Sequence, residues 1–458
     1  MAVIIGVPPL MTSASARIGY RHRRMRMLLI ALAMPLAIYT QPFRRAPRFS
    51  IRIFKASTLA TMGNVSNHFT YKPIPVPPSV DPTMFKDFGR QVEGFEPDNV
   101  TSEQMEEIMD MLYKHSILLF KNLKLSPKQQ FEMTHAFDPE ANVYGHGNNK
   151  TGNTKSSILH PDLKTIPHQP QVQLIGNGKV PMVYEGLDHP QLKHPHHRTF
   201  HKSIVSEEDD ANGITRFYRW HIDAALYGLS PPKVTTLYAV KVPKGPYQIC
   251  RYDDGTGDEL KVPLGGTVFA SGKNMFDVLP DELKSLAVRT KVEYAPHPYV
   301  WMSRAHALPT GLGLESEGLE MSLEELPEWE ESKVKIFPMC WKNPVTGALH
   351  VQVHPCGAYK LHISPSEGAS LYPEGGVIDD LKTVREILYK IQRPGIAPGL
   401  IYSQDWEEGD LVIFHNRGLL HSVVGAFKPD QLRMFHQCNL AASSDPVGPD
   451  EQDVKVYA

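Results

Sequence analysis

What most constrains this chain is how often it is interrupted. Thirty-nine prolines and thirty-three glycines are spread through 458 residues, and both residue types end helices and mark turns. Helical bundles and coiled coils are disfavoured on that ground. Val234 to Val240 and Asp410 to Phe414 are β-rich runs bounded by Pro or Gly, and Leu432 to Leu440 alternates imperfectly like a strand. A few helices are expected among them. Thr101 and Gln104 form a capping-box pattern, and Met105, Ile108, Met109 and Leu112 share one helical face in the run to His115. Ser116 to Phe120 reads as a buried strand, and Ser126-Pro127 starts a second helix with Pro at its first position. No period of repeat-protein length recurs. The fold expected is mainly β with helical insertions, a β-sandwich or jelly roll.

Composition adds limits. Apolar residues make up 41% and charged residues 21%, which suits a packed core. The net charge of −2 hides an asymmetry. Residues 1–80 carry eleven Lys/Arg and no Asp/Glu, so the remainder stands at −13. A body this acidic is a poor nucleic-acid binder, and no nucleic-acid partner is expected. The four cysteines, Cys250, Cys340, Cys356 and Cys438, form no CxxC pair and are too few for a disulfide scaffold. A reducing compartment, the cytosol, is expected.

The basic segment, residues 1–61, has three readings. Arginines flank an apolar run from Met27 to Ile38, too short to span a bilayer comfortably, so no stable membrane insertion is expected. It fits a signal-peptide core, a mitochondrial transit peptide, or sequence upstream of a true start at Met62. Residues 62–95 read as a Pro-rich lead-in, and Glu315 to Glu331 as a solvated acidic loop or helix between strands.

The chemistry concentrates at two places. Arg219-Trp220-His221-Ile222-Asp223 contains an HxD pair. On a strand, residues two apart share a face, so the His and the carboxylate can take adjacent positions on a metal. A second His would complete a 2-His-1-carboxylate face with open sites. Taken alone, the pair also fits a surface strand with a hydrogen-bonded histidine. The second place runs from Gly409 through Asn416, Arg417 and His421 to Arg433. A cation on such an apolar strand is costly to bury without an anion. Either an internal salt bridge or a small dicarboxylate held by the guanidinium fork would supply one.

Three blocks in order carry a family resemblance. They are Trp220-His221-Ile222-Asp223 with Ser230-Pro231-Pro232; Gly265-Gly266-Thr267 before Phe269 to Gly272; and Gly409 to Arg433. Lys342 to Gly347 adds a weaker loop match. Together they resemble the TauD/TfdA-like branch of the 2-oxoglutarate-dependent oxygenases. The resemblance implies a double-stranded β-helix (jelly-roll) core in a dioxygenase domain over residues 96–445, with 446–458 as a tail. It implies that His221, Asp223 and His421 hold Fe(II). It also implies that Arg433 and Thr267 anchor the distal carboxylate of 2-oxoglutarate. O2 is the co-oxidant, and the cosubstrate leaves as succinate and CO2.

Four segments narrow the resemblance to the fungal xanthine dioxygenases, which hydroxylate xanthine at C8 to urate. They are Tyr144 to Lys150, Gln171 to Gly178, Phe217 to Tyr227 and Met434 to Leu440. Sulfonate-using relatives carry an Arg four residues after the cosubstrate Arg; here that position is Gln437. An amide cannot neutralise a sulfonate but can pair with a purine edge. Asn439 and Gln173 are further amide candidates, and Cys438 is expected to face away into packing. Lys193 could balance charge on an oxopurine, and Asp209 or Asp210, in the run Glu207 to Asp210, could accept from a ring N–H. Each of these could equally be an ordinary polar residue. The alternatives are a related dioxygenase acting on a sulfonate or aryloxy acid, and an inactive jelly-roll binding module.

Overall fold

The computed structural model describes residues 68–143, 164–194, 196–428 and 430–458. The basic segment 1–61 and the stretch Tyr144 to Lys150 lie outside the described residues. The body is mainly sheet with helices. Its largest sheet has nine strands. Eight run in the order Thr70–Pro73, Arg90–Glu93, Ile117–Phe120, Leu411–His415, Val234–Lys241, Arg433–Asn439, Val172–Lys179 and Lys164–Thr165, and Gln191–Leu192 pairs beside Val172–Lys179. All pairings are antiparallel except Arg90–Glu93 with Ile117–Phe120. A three-stranded antiparallel sheet, Ile401–Gln404, Thr267–Ser271 and Leu419–Val423, supplies the second layer.

Period-two alternation explains how the large sheet is covered on both faces. Ile117, Leu119, Val412, Phe414, Leu237 and Phe435 point one way and meet Phe269, Tyr402 and Leu419 of the small sheet. Leu118, Phe120, Leu411 and Ile413 point the other way, onto Ile108 and Leu112 of one helix and Met133 and Phe137 of another. Burying each such side chain contributes about 1.5–3 kcal/mol, so a one-residue slip would expose a whole face. The two helices, Ser102–His115 and Pro127–Ala136, begin where the capping patterns place them. Thr101 with Gln104 and Ser126 with Gln129 both close full capping boxes.

Between Thr267–Ser271 and Ile401–Gln404 the chain makes a long excursion. It carries the helices Asp281–Arg289 and Leu381–Gln392 and a four-stranded sheet centred on Thr290–Tyr294 and Ala358–Ile363. The acidic stretch Glu315 to Glu331 lies here as irregular chain and is tied down: Glu317 pairs with Lys202, Glu320 with Arg385 and Glu325 with Arg304. The stretch expected as a lead-in supplies two strands of the large sheet, and Ile74, Phe85 and Phe88 enter the core. At the other end the helix Glu451–Tyr457 docks through Tyr457 on Phe276, with ring centroids 5.0 Å apart, and through Lys342 to Asp450 and Asp453. Among the described residues no helix is long and apolar enough to cross a membrane.

Candidate metal centre

The HxD segment is not the regular strand the sequence suggests. His221 makes a single bridge with His421, and Asp223 follows in a bend. The two histidines exchange both backbone hydrogen bonds, each N···O 3.0 Å. This reciprocal pair locks segments two hundred residues apart and sets the imidazoles side by side, with centroids 4.1 Å apart. Trp220 and Ile222 go into the core on the opposite side. Asp223 is clamped by Asn416, whose Oδ1 accepts from the Asp223 N–H at 2.9 Å. The Asn416 amide also donates to the carbonyls of Asp223 at 2.8 Å and Pro232 at 2.9 Å.

The carboxylate sits between the rings. Asp223 Oδ1 is 3.9 Å from His221 Nε2 and 3.7 Å from His421 Nε2, and the three ligand atoms all lie within 4.8 Å of one another. His221 Nδ1 donates to the Arg219 carbonyl at 2.8 Å, which leaves Nε2 as the lone-pair nitrogen facing Asp223. Thr235 Oγ1 donates to Asp223 Oδ2 at 2.6 Å, and Gln437 Nε2 lies 3.2 Å from both carboxylate oxygens. Burial depresses both imidazoles, His421 to about 3. Burial alone would raise Asp223, but His421, His221, Thr235 and Asn439 together hold it below the ordinary carboxylate value. Two neutral imidazoles and an ionised carboxylate on one face are the donor set a 2-His-1-carboxylate metal requires.

Arg433 lies on the same strand as Gln437 and is 2% exposed. Its Nε donates to the Gly265 carbonyl at 3.2 Å, and the guanidinium lies 3.8 Å over the Phe435 ring. Among the described residues it has no carboxylate partner. Burial pushes it down to about 9. Thr267, two residues after Gly265, is buried, and its Oγ1 accepts from Trp406 Nε1 at 3.2 Å. Arg433 is thus bonded to the chain two residues before Thr267.

The substrate candidates divide. Gln437 and Asn439 reach Asp223 itself, Gln173 is buried directly opposite Gln437 on the neighbouring strand, and Cys438 packs away into an apolar cluster. Lys193 is exposed. Asp209 pairs with Arg251 at 2.9 Å. Asp210 takes His197 at 3.1 Å and has Arg198 at 3.9 Å. Asp209 and Asp210 are therefore committed to ion pairs on the helix Glu207–Ala211, and no contact among the described residues brings them to the triad. His196, His197 and Asp210 do form a second compact group, but Arg198 beside it already supplies the positive charge. The sequence reading assigned no role to Asn416, Thr235 or Arg219. Asn416 stood inside a recognised block; nothing marked Thr235, because its role depends on register between strands.

Comparison with known proteins identifies the family. The Taurine catabolism dioxygenase TauD, TfdA family matches residues 75–439. The alpha-ketoglutarate-dependent xanthine dioxygenase of Neurospora crassa is 58% identical over 80% of this chain and 86% of its own. That of Emericella nidulans is 56% identical over 79% and 94%. That of Schizosaccharomyces pombe is 52% identical over 86% and 93%.

Proposed function

The chain belongs to the taurine catabolism dioxygenase TauD, TfdA family, and from that membership we propose an Fe(II)- and 2-oxoglutarate-dependent dioxygenase that hydroxylates xanthine at C8. Xanthine, 2-oxoglutarate and O2 become urate, succinate and CO2. The observation that carries this reading is the 52–58% identity to three fungal xanthine dioxygenases across most of this chain. The packing of the large sheet on the small one is read as the two walls of a double-stranded β-helix. The catalytic domain drawn at 96–445 is extended to include the strands between residues 70 and 93. Four buried free thiols suit a cytosolic setting.

His221, Asp223 and His421 are assigned as ligands of Fe(II). Bound there, the metal supplies open positions at which cosubstrate and O2 react. The chain's residues do the positioning. Asn416 fixes the Asp223 backbone, while Thr235 and Gln437 orient its carboxylate. Arg433, a buried cation with no carboxylate partner among the described residues, receives the distal carboxylate of 2-oxoglutarate together with the Thr267 hydroxyl. Gln437 spends its amide N–H on Asp223, so its Oε1 remains to accept a ring N–H of the purine. Gln173 backs it from the adjacent strand.

The test is urate formed per succinate formed, aerobically with Fe(II), ascorbate and 2-oxoglutarate. Xanthine should give a ratio near one and taurine no product. Succinate with taurine and no urate from xanthine would keep the dioxygenase and remove the purine assignment.

A further inference from the structure

From Arg219 to Ala225 burial alternates. Trp220, Ile222 and Ala224 are buried in the core, whereas Arg219, His221 and Asp223 are only partly covered. Side chains two apart on extended chain share a face and lie roughly 7 Å apart. Arg219 is therefore next in line to the two ligands of the HxD pair, and its own carbonyl orients His221. Its guanidinium lies 4.1 Å from the Phe200 ring centroid and 5.5 Å from that of Tyr218. Burial raises Tyr299 and depresses His354; the Arg219 charge opposes the first and adds to the second, so the group bears on both.

What sets Arg219 apart among the described residues is a guanidinium with no polar partner. Arg216, Arg385 and Arg393 each pair with carboxylates, and Arg289 and Arg417 donate to backbone carbonyls. Even Arg433 has one carbonyl. Among the described residues the Arg219 guanidinium makes no ion pair and no hydrogen bond, and its Nε is buried without an acceptor. A cation so placed, in an acidic protein, is held ready for an anion.

We propose that Arg219 is the countercharge that receives the oxopurine as an anion. The proposal rests on the xanthine reading above. Dioxopurines and trioxopurines readily lose a ring proton, and the resulting charge spreads over adjacent nitrogen and oxygen atoms that suit a guanidinium fork. Neutral amides alone would not supply this charge, and Arg433 already serves the cosubstrate. Arg219 thus separates acidic oxopurines from neutral purines.

The experiment measures binding to the full chain loaded with Mn(II) and 2-oxoglutarate, without O2, in mildly alkaline buffer. The probes are xanthine and urate, which ionise there, and hypoxanthine, which stays neutral. The wild type should favour the two anions over hypoxanthine. Arg219→Gln should weaken xanthine and urate about ten- to a hundred-fold and leave hypoxanthine nearly unchanged, erasing the preference; Arg219→Lys should retain part of it. Equal weakening of all three purines, or loss of 2-oxoglutarate affinity instead, would overturn the proposal; the latter makes Arg219 a cosubstrate residue. If Arg219→Gln does not fold, the wild type alone decides, since equal affinity for hypoxanthine and xanthine overturns it as well. Turnover of xanthine without preference for anions would sink this proposal and spare the function. Absence of both xanthine binding and urate formation would sink the function.

Discussion

Replacing Arg433 with Met should strengthen the cosubstrate-free protein while nearly abolishing cosubstrate binding. The structure gives both halves. A guanidinium that falls from its usual value of about 12.5 to about 9 is disfavoured by roughly 5 kcal/mol on burial. The contact over Phe435 offsets about 2 kcal/mol of that, and the bond to the Gly265 carbonyl about 1 kcal/mol more. A Met of similar reach keeps the packing and drops the charge, so a net gain of about 1–2 kcal/mol is expected, as for other buried charges exchanged for apolar groups. Against this, a two-pronged charge-assisted grip on a carboxylate contributes about 3–5 kcal/mol. The 2-oxoglutarate KM should therefore rise by about a hundred- to several thousand-fold. Urea unfolding in Mn(II), with and without 2-oxoglutarate, reads both effects. The wild-type midpoint should move up with cosubstrate, and the variant should start higher and not move. An Arg433→Met protein that is several kcal/mol weaker yet still shifted by 2-oxoglutarate would refute the reasoning and give Arg433 a structural role.

Three further outcomes are expected. Gln437→Ala should raise the xanthine KM several-fold to tens-fold and loosen the Asp223 carboxylate, seen as weaker metal binding by titration; unchanged values in both would remove Gln437 from the site. Gly176→Ala should cost about 2–4 kcal/mol and raise the 2-oxoglutarate KM, because at φ +148° a Cβ would stand 1.8 Å from the Arg433 carbonyl oxygen; a melting temperature like the wild type's would contradict that crowding. Burial holds His201, His350 and His436 down at about 4, so the unfolded chain, with histidines near about 6.5, binds more protons between those values. Their contribution is complete above about pH 6.5 and is lost towards pH 4, at up to about 1.4 kcal/mol per pH unit for each; a flat urea midpoint from pH 7 to pH 5 would show these histidines are not buried neutral.

Local signals were readable where the cause is local. The caps at Thr101 and Ser126 are decided by residues three apart, and the buried strand ending at Phe120 by its unbroken apolar run. The pairing of His221 with His421 was legible only through family blocks, because nothing near either residue specifies the bridge. The partners of the carboxylates at 209 and 210, Arg251 and His197, were not legible for the same reason: they are chosen by tertiary placement. The edge strand at 70–73 was obscured by Pro73 and Pro75, which pattern reading discounts, and the strand at 90–93 by its shortness between Gly89 and Gly94.

The reciprocal backbone pair between His221 and His421 also has a consequence for biosynthesis. The first two proposed ligands leave the ribosome together, but the third waits until the entire excursion between residues 272 and 400 has been made and its ends have met. Contacts of such long range form late, since loop closure must come first. A nascent or truncated chain ending before His421 holds only one imidazole and one carboxylate, too few to retain a labile divalent ion. With His221, Asp223 and His421 as the proposed ligands, iron uptake is expected only once the chain is finished.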